Sequence, residues 1–113
     1  MVLRVLQIIA AVATIAVGIM PLFWPNRVTM FIGLQPMGPR GITELRAVLG
    51  GFFIALGAVP LITGAPETYL MLGIAYLVVG VVRTVSMLVD RSVMLSNTIS
   101  VIFELVFGVI LVL

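Results

Sequence analysis

Four long apolar runs constrain this chain more than any other feature. A helix needs about 20 mostly apolar residues to cross the hydrocarbon core of a bilayer. The runs lie at about residues 2–23, 41–62, 67–89 and 92–113, separated by Pro, Gly and charged residues. Because 63% of the 113 residues are hydrophobic and 9% are charged, a soluble domain of this length has too little interior to bury them. The pattern predicts an all-α integral membrane four-helix bundle in one transmembrane domain, residues 1–113.

The stretch between the first two runs predicts a short interfacial segment. Pro25–Arg40 is too short and too mixed in composition to cross a membrane, but residues 25–32 can form a short helix lying in the interface. Gly and Pro residues then interrupt it before the second run. A signal peptide over residues 1–24 is the competing interpretation of the first run. The run is long for a signal peptide, and no convincing small-residue cleavage site follows it.

The positions of the arginines predict an orientation. The turns after the first and third runs carry Arg27, Arg40 and Arg91, with Arg46 just inside the second run, whereas the opposite side carries only Arg4. The positive-inside rule places arginine-rich turns in the cytoplasm. Both termini are therefore expected outside.

The composition excludes most enzyme chemistry. The chain has no Cys and no His, so thiol chemistry, iron–sulfur clusters, ordinary zinc sites and histidine-ligated haem are not expected. Its serines have no histidine base. No phosphate-binding loop and no basic run suited to nucleic acid is present. We therefore expect a protein that is not an enzyme, with no cofactor, no metal and no nucleic-acid partner.

Two ions lie deep inside apolar runs. At a rise of 1.5 Å per residue, Arg83 lies roughly 10 Å from the turn at Asp90, and Glu104 lies roughly 18 Å from Ser92. Side chains on a helix lean toward the N-terminus of their own helix, so in antiparallel neighbours these two lean toward each other. The spacing predicts an Arg83–Glu104 salt bridge.

Three further residues complete a candidate polar site. Tyr76 lies near the depth of Glu104 and can offer it a hydroxyl. Arg46 opens the second run and can extend to the headgroups, while Glu44 lies where a helix N-terminus favours an anion. The candidate polar site is Arg46, Arg83, Glu104, Tyr76 and Glu44.

Small residues at helical spacing line each run. Glycines allow membrane helices to approach closely, so a packing interface is the simpler interpretation, and a polar lining around a ligand or ion path is the other. The helix-packing candidates are Gly50, Gly51, Gly57, Gly73, Gly80 and Gly108.

The segment Thr43–Gly51, together with Arg83 and Glu104, resembles a small bacterial membrane family, the domain-of-unknown-function family numbered 4345, which is distantly similar to the DoxX-type four-helix proteins. The family motif has the form Leu-Arg-Ala-x-Tyr-Gly-Gly, and this chain has Leu49 where Tyr is usual. The resemblance implies a four-helix protein of the bacterial inner membrane, with Arg46, Gly50, Gly51, Arg83 and Glu104 as candidate site residues. It carries no assigned activity.

Three functions remain open. The expected one is a non-catalytic accessory or structural subunit that packs against other membrane subunits or copies of itself, because the short loops leave no soluble module. A lipid- or quinone-binding protein is the first alternative, and a small transporter is the second. A stoichiometric complex from native membrane would select the subunit role, and a bound lipid or quinone would select the lipid- or quinone-binding protein. The only other partner expected is membrane lipid.

Overall fold

The computed structural model describes all residues, Met1–Leu113, and its regular structure is entirely helical. Helix α1 (Val2–Phe23) precedes the short α2 (Pro25–Ile32). A continuous second span follows, made of α3 (Gly38–Glu44), a π-helical segment (Leu45–Phe52) and α4 (Phe53–Thr63). Helices α5 (Pro66–Val89) and α6 (Leu95–Val112) complete the chain.

Four helices are long and apolar enough to cross a membrane: α1, the second span, α5 and α6. The predicted fold class, all-α with four spanning helices and a short helix between the first two, is confirmed. The chain is a multi-pass membrane protein.

Proline and glycine set most helix boundaries. Pro25 and Pro66 occupy the first positions of α2 and α5, where the missing N–H would have no intrahelical partner in any case. Gly33 (φ 73°) and Gly64 (φ 64°) end α2 and α4 in the left-handed conformation that glycine adopts without strain. The short helix predicted over residues 25–32 is present with those bounds.

Two boundaries differ from the prediction by three residues. The second span begins at Gly38 rather than at 41, because Pro39 fits the first turn of a helix. Helix α6 begins at Leu95 rather than at 92, because Arg91 has φ 54° and Met94 is extended. The turn between α5 and α6 is therefore longer than expected.

The π-helical segment changes which residues face inward. Its i→i+5 hydrogen bonding brings residues five apart to one face, and Leu45 and Gly50 are both buried. Arg46 and Gly51 are both exposed. Uninterrupted α-helical winding would put Arg46, four residues before Gly50, on the buried face instead.

The chain contains two compact units. The first unit comprises Met1–Ala10 and Ala65–Leu113, and the second comprises Ala11–Gly64. In the second unit, α1 and the second span approach backbone to backbone. A Cβ atom built on Gly57 would lie 2.5 Å from the Ala11 carbonyl oxygen, and one on Gly18 would lie 2.6 Å from the Gly50 carbonyl oxygen. Glycine at these positions permits the close approach.

In the first unit, α5 and α6 interlock through leucine side chains. A Cβ atom on Gly80 would lie 2.7 Å from Leu105 Cδ2, and one on Gly108 would lie 2.6 Å from Leu77 Cδ2. Each glycine thus receives a side chain from the facing helix. The start of α1 also belongs to this unit, where the Gln7 amide donates a hydrogen bond to the Ile110 carbonyl at 3.2 Å.

Candidate functional site

The central feature of the first unit is the ion pair between Arg83 of α5 and Glu104 of α6. Arg83 Nε donates to Glu104 Oε1 and Arg83 Nη2 donates to Glu104 Oε2, both at 2.9 Å. This paired geometry matches the planar guanidinium to the planar carboxylate and is stronger than a single contact. The Glu104 side chain is only 10% exposed, against 34% for Arg83. The predicted buried salt bridge is confirmed.

A third side chain completes this arrangement. Arg83 Nη1 donates to Asn97 Oδ1 at 3.1 Å, and Asn97 Nδ2 donates to the Ser92 carbonyl at 2.9 Å. The amide therefore links the guanidinium to the turn between α5 and α6. Asn97 was not among the predicted site residues, although it lies seven residues before Glu104, two helical turns away on the same face.

Every nitrogen and oxygen atom of the ion pair has at least one hydrogen-bond partner. No buried side-chain nitrogen or oxygen of the chain lacks a hydrogen-bond partner. An isolated charge at mid-membrane costs about 2.5–3.5 kcal/mol on insertion scales, so the mutual pairing of Arg83 and Glu104 is what permits both to lie there. Loss of either partner would leave the other charge uncompensated.

Arg83 also borders an open cleft, which we name the α5 cleft. It has a volume of about 320 Å³. Its lining comes from α5, from the turn after it and from the start of α6: Val79, Val82, Arg83, Ser86, Met87, Asp90, Ser92 and Asn97. The outer part of the guanidinium is therefore accessible from the turn side, while its inner part is held by Glu104.

The other members of the candidate polar site lie in different surroundings. Tyr76 is buried in the first unit, with its ring edge-on to Phe103 and Phe107 at centroid distances of 5.8 and 6.1 Å. In the second unit, Glu44 forms an exposed ion pair with Arg40 at 2.6 Å. Arg46 is exposed in the π-helical segment and forms no ion pair.

The packing glycines divide in the same way. Gly50 and Gly57 are buried in the second unit, and Gly73, Gly80 and Gly108 are buried in the first. Gly51 is exposed, and a Cβ atom there would meet nothing closer than the Arg46 carbonyl oxygen at 3.9 Å. Gly51 therefore takes no part in the helix contacts within the chain.

The site offers binding groups and no activated nucleophile. Glu104, the buried carboxylate, has both oxygens occupied by Arg83. The chain holds no group of three or more acidic residues that could bind a metal ion. What remains accessible in the α5 cleft is part of the Arg83 guanidinium, the Asp90 carboxylate and neutral polar groups.

A protein-family model described as "Domain of unknown function (DUF4345)" matches residues 2–113, nearly the whole chain. No curated protein and no solved structure matches.

Proposed function

We propose, for this chain, which belongs to the DUF4345 family, a non-catalytic role as an accessory or structural subunit that packs against another membrane protein or a second copy of itself. The role assigns the chain no reaction and no cofactor. Its function lies in the surface that its spanning helices present to other helices.

The observation that carries this proposal is an exposed face of small residues on the second span. Gly51 and Ala55 lie four residues apart where the winding returns from π to α, and Ala47 lies about one turn earlier; all three are exposed. Small residues at this spacing let membrane helices approach closely. Gly50 and Gly57 already serve that purpose within the chain, so the Ala47–Gly51–Ala55 face is left for a partner.

The geometry of Glu104 does not favour the alternative that the chain is a small transporter. A proton-coupled carrier needs a carboxylate that gains and loses a proton during transport. Glu104 accepts two hydrogen bonds from a permanently charged guanidinium. Its charge is paired within the protein, and Glu104 does not line the α5 cleft. In the lipid- or quinone-binding alternative, the quinone part rests on the distant DoxX-type resemblance alone.

Extraction from native membrane in mild detergent tests the proposal. The parent chain should migrate in a stoichiometric complex or as a homo-oligomer. Gly51→Leu and Ala55→Leu should dissociate this complex without lowering the melting temperature of the chain, because the space around Gly51 is open. Ala16→Leu, at an exposed small residue of α1, is the matched control and should leave the complex intact. A monomeric parent chain, or an intact complex in both variants, would contradict the proposal.

The same proposal places the chain in the bacterial inner membrane with both termini outside. The arginine-rich turns support this orientation. Single cysteines at Glu67, in the first turn of α5, and at Val93, in the turn after α5, can be treated with an impermeant thiol reagent in intact cells; both residues are exposed. Cysteine at position 67 should react and cysteine at 93 should not. The reverse result would invert the topology.

A further inference from the structure

The α5 cleft changes in character along its length. Its lining residues on α5 run from Val79 to Asp90, which is roughly 16 Å along the helix axis at 1.5 Å per residue. Val79 and Val82 form the deep end, Arg83 comes next, and Ser86 and Asp90 lie toward the turn. The cleft is therefore apolar at membrane depth and mixed toward the interface, where Met87 lies among Ser86, Asp90 and Ser92. Its volume of about 320 Å³ falls at the lower end of the range of ligand pockets.

Arg83 has hydrogen-bonding capacity left for a ligand. A guanidinium carries five N–H donors. Glu104 takes the Nε hydrogen and one on Nη2, and Asn97 takes one on Nη1. Two donors, one on each Nη atom, are left over. Since 34% of the side chain is exposed and Arg83 lines the cleft, these donors can meet an anionic oxygen without breaking the buried pair.

Asp90 makes the turn end of the cleft favour a cation, whereas Arg83 favours an anion. It lies seven residues after Arg83, two turns along the same face of α5. Its carboxylate has no ion pair or hydrogen bond within the chain. The last turn of α5 contains no basic residue, and a helix C-terminus favours a cation. Arg91 is exposed and does not line the cleft. The Asp90 carboxylate is therefore available to a ligand cation.

The order of these groups matches one class of molecule. A phosphate suits the free donors of Arg83, a primary ammonium suits Asp90, and an apolar backbone suits Val79 and Val82. A purely anionic headgroup would be repelled by Asp90, and a trimethylated ammonium cannot donate a hydrogen bond to it. Val79 and Val82 are 45% and 59% exposed, so the apolar end opens sideways toward lipid.

We propose that the α5 cleft binds the headgroup of a phosphoethanolamine lipid, with the phosphate on Arg83 and the ammonium on Asp90. The site lies within α5, α6 and the turn between them, so it does not depend on whether the chain joins an assembly. In this arrangement Arg83 has two roles: its inner edge holds Glu104 and its outer edge holds the lipid.

The test compares lipids that differ in one group each. The purified chain is titrated in detergent with phosphatidylethanolamine, phosphatidylcholine or phosphatidylglycerol of identical acyl chains, and with free phosphoethanolamine. Bound lipid is counted by native mass spectrometry, and the melting temperature is followed in parallel. Phosphatidylethanolamine should bind roughly tenfold more tightly than the other two, the ratio expected from one charge-assisted hydrogen bond.

Two variants test whether Asp90 causes the preference for phosphatidylethanolamine. Asp90→Asn removes the charge at the turn end and should abolish the preference for phosphatidylethanolamine over phosphatidylcholine. Glu67→Gln neutralises an exposed acid in the first turn of α5, outside the cleft, and should retain the preference.

Equal binding of the three lipids would overturn the proposal, as would a preference that survives Asp90→Asn. Saturable binding of free phosphoethanolamine at the affinity of the lipid would overturn the lipid assignment in favour of a soluble zwitterion.

Discussion

The two units hold their spanning helices together by different means. In the second unit, glycines bring one helix against the backbone of another, with a Cβ on Gly57 meeting the Ala11 carbonyl oxygen at 2.5 Å. In the first unit, Gly80 and Gly108 face the ends of leucine side chains, and the Arg83–Glu104 pair joins the two helices. Gly73 differs, because a Cβ atom there would also lie 3.0 Å from the Val112 backbone nitrogen. The burial of charge follows the same division, because Arg40 and Glu44 of the second unit pair in an exposed position.

Glycine at a membrane helix contact therefore has two distinct roles. Where the neighbour is backbone, the two helices themselves must separate to admit a side chain. Where the neighbour is the end of a leucine, rotation about a side-chain bond can make room. A sequence pattern of small residues does not distinguish the two cases, and only the facing residue does.

The largest effect should come from breaking the ion pair of the first unit. Arg83→Met or Glu104→Gln alone should lower the free energy of unfolding in detergent by about 3–5 kcal/mol, because the remaining partner is left uncompensated. The double variant should recover much of that loss. A double-mutant cycle from denaturation curves measures the coupling. Additive losses would mean that the pair does not join α5 to α6.

Alanine at the two kinds of glycine should separate backbone contact from side-chain contact. Gly57→Ala should cost about 1–3 kcal/mol, since the Ala11 backbone cannot give way. Gly80→Ala should cost clearly less, since its nearest neighbour is the Leu105 side-chain end. Gly51→Ala serves as the exposed control and should be neutral. Melting temperatures of the three variants in one detergent measure these costs. Equal losses of stability at positions 57 and 80 would show that backbone contact and side-chain contact do not differ in this way.

Asn97→Ala should have a smaller effect that is confined to the first unit. It removes one hydrogen bond to Arg83 and one to the Ser92 carbonyl, at an expected cost of about 1.5 kcal/mol. Amide hydrogen exchange should increase in the turn between α5 and α6 while the second unit is unchanged. Asn26→Ala, at an exposed residue of α2, is the control. Unchanged exchange in that turn would show that Asn97 does not hold it.

The smallest effect should come from the ion pair of the second unit. Arg40→Ala removes an exposed i,i+4 pair with Glu44, which is worth less than about 0.5 kcal/mol. Any loss should vanish at high salt because exposed charges are screened. Thermal melts at low and high ionic strength check this. A loss comparable to that of Arg83→Met would place a stabilising ion pair in both units.

The sequence predicted the spans and the ion pair because both depend on composition and helical geometry. A long run of apolar residues that is bounded by Pro, Gly and charged residues can form little other than a membrane-spanning helix. Arg83 and Glu104 could be paired because the depth and lean of a residue follow from counting along a helix. The same counting places Asn97 on the face of Glu104, two turns nearer the start of α6.

The π-helical winding of Leu45–Phe52 was beyond sequence reasoning. Its residues have no composition that separates π from α, and contacts with the rest of the chain decide which forms. Gly50 and Gly51 were both predicted to pack between helices, whereas Gly50 is buried and Gly51 is exposed. Of the six candidate glycines, Gly51 alone is exposed, and it lies in the π-helical segment.

That winding also bears on how the chain can change in length. A π turn, which is closed by an i→i+5 hydrogen bond, contains one residue more than an α turn, which is closed by an i→i+4 hydrogen bond. Deleting a single residue between Leu45 and Phe52 can therefore be absorbed by a return to α-helical winding, with the flanking segments kept in register. An inserted residue cannot be absorbed in this way, because the segment already has the wider π-helical winding. Natural variants of this architecture should accordingly tolerate the deletion of one residue in this segment, whereas an insertion should disturb the register of the flanking helices.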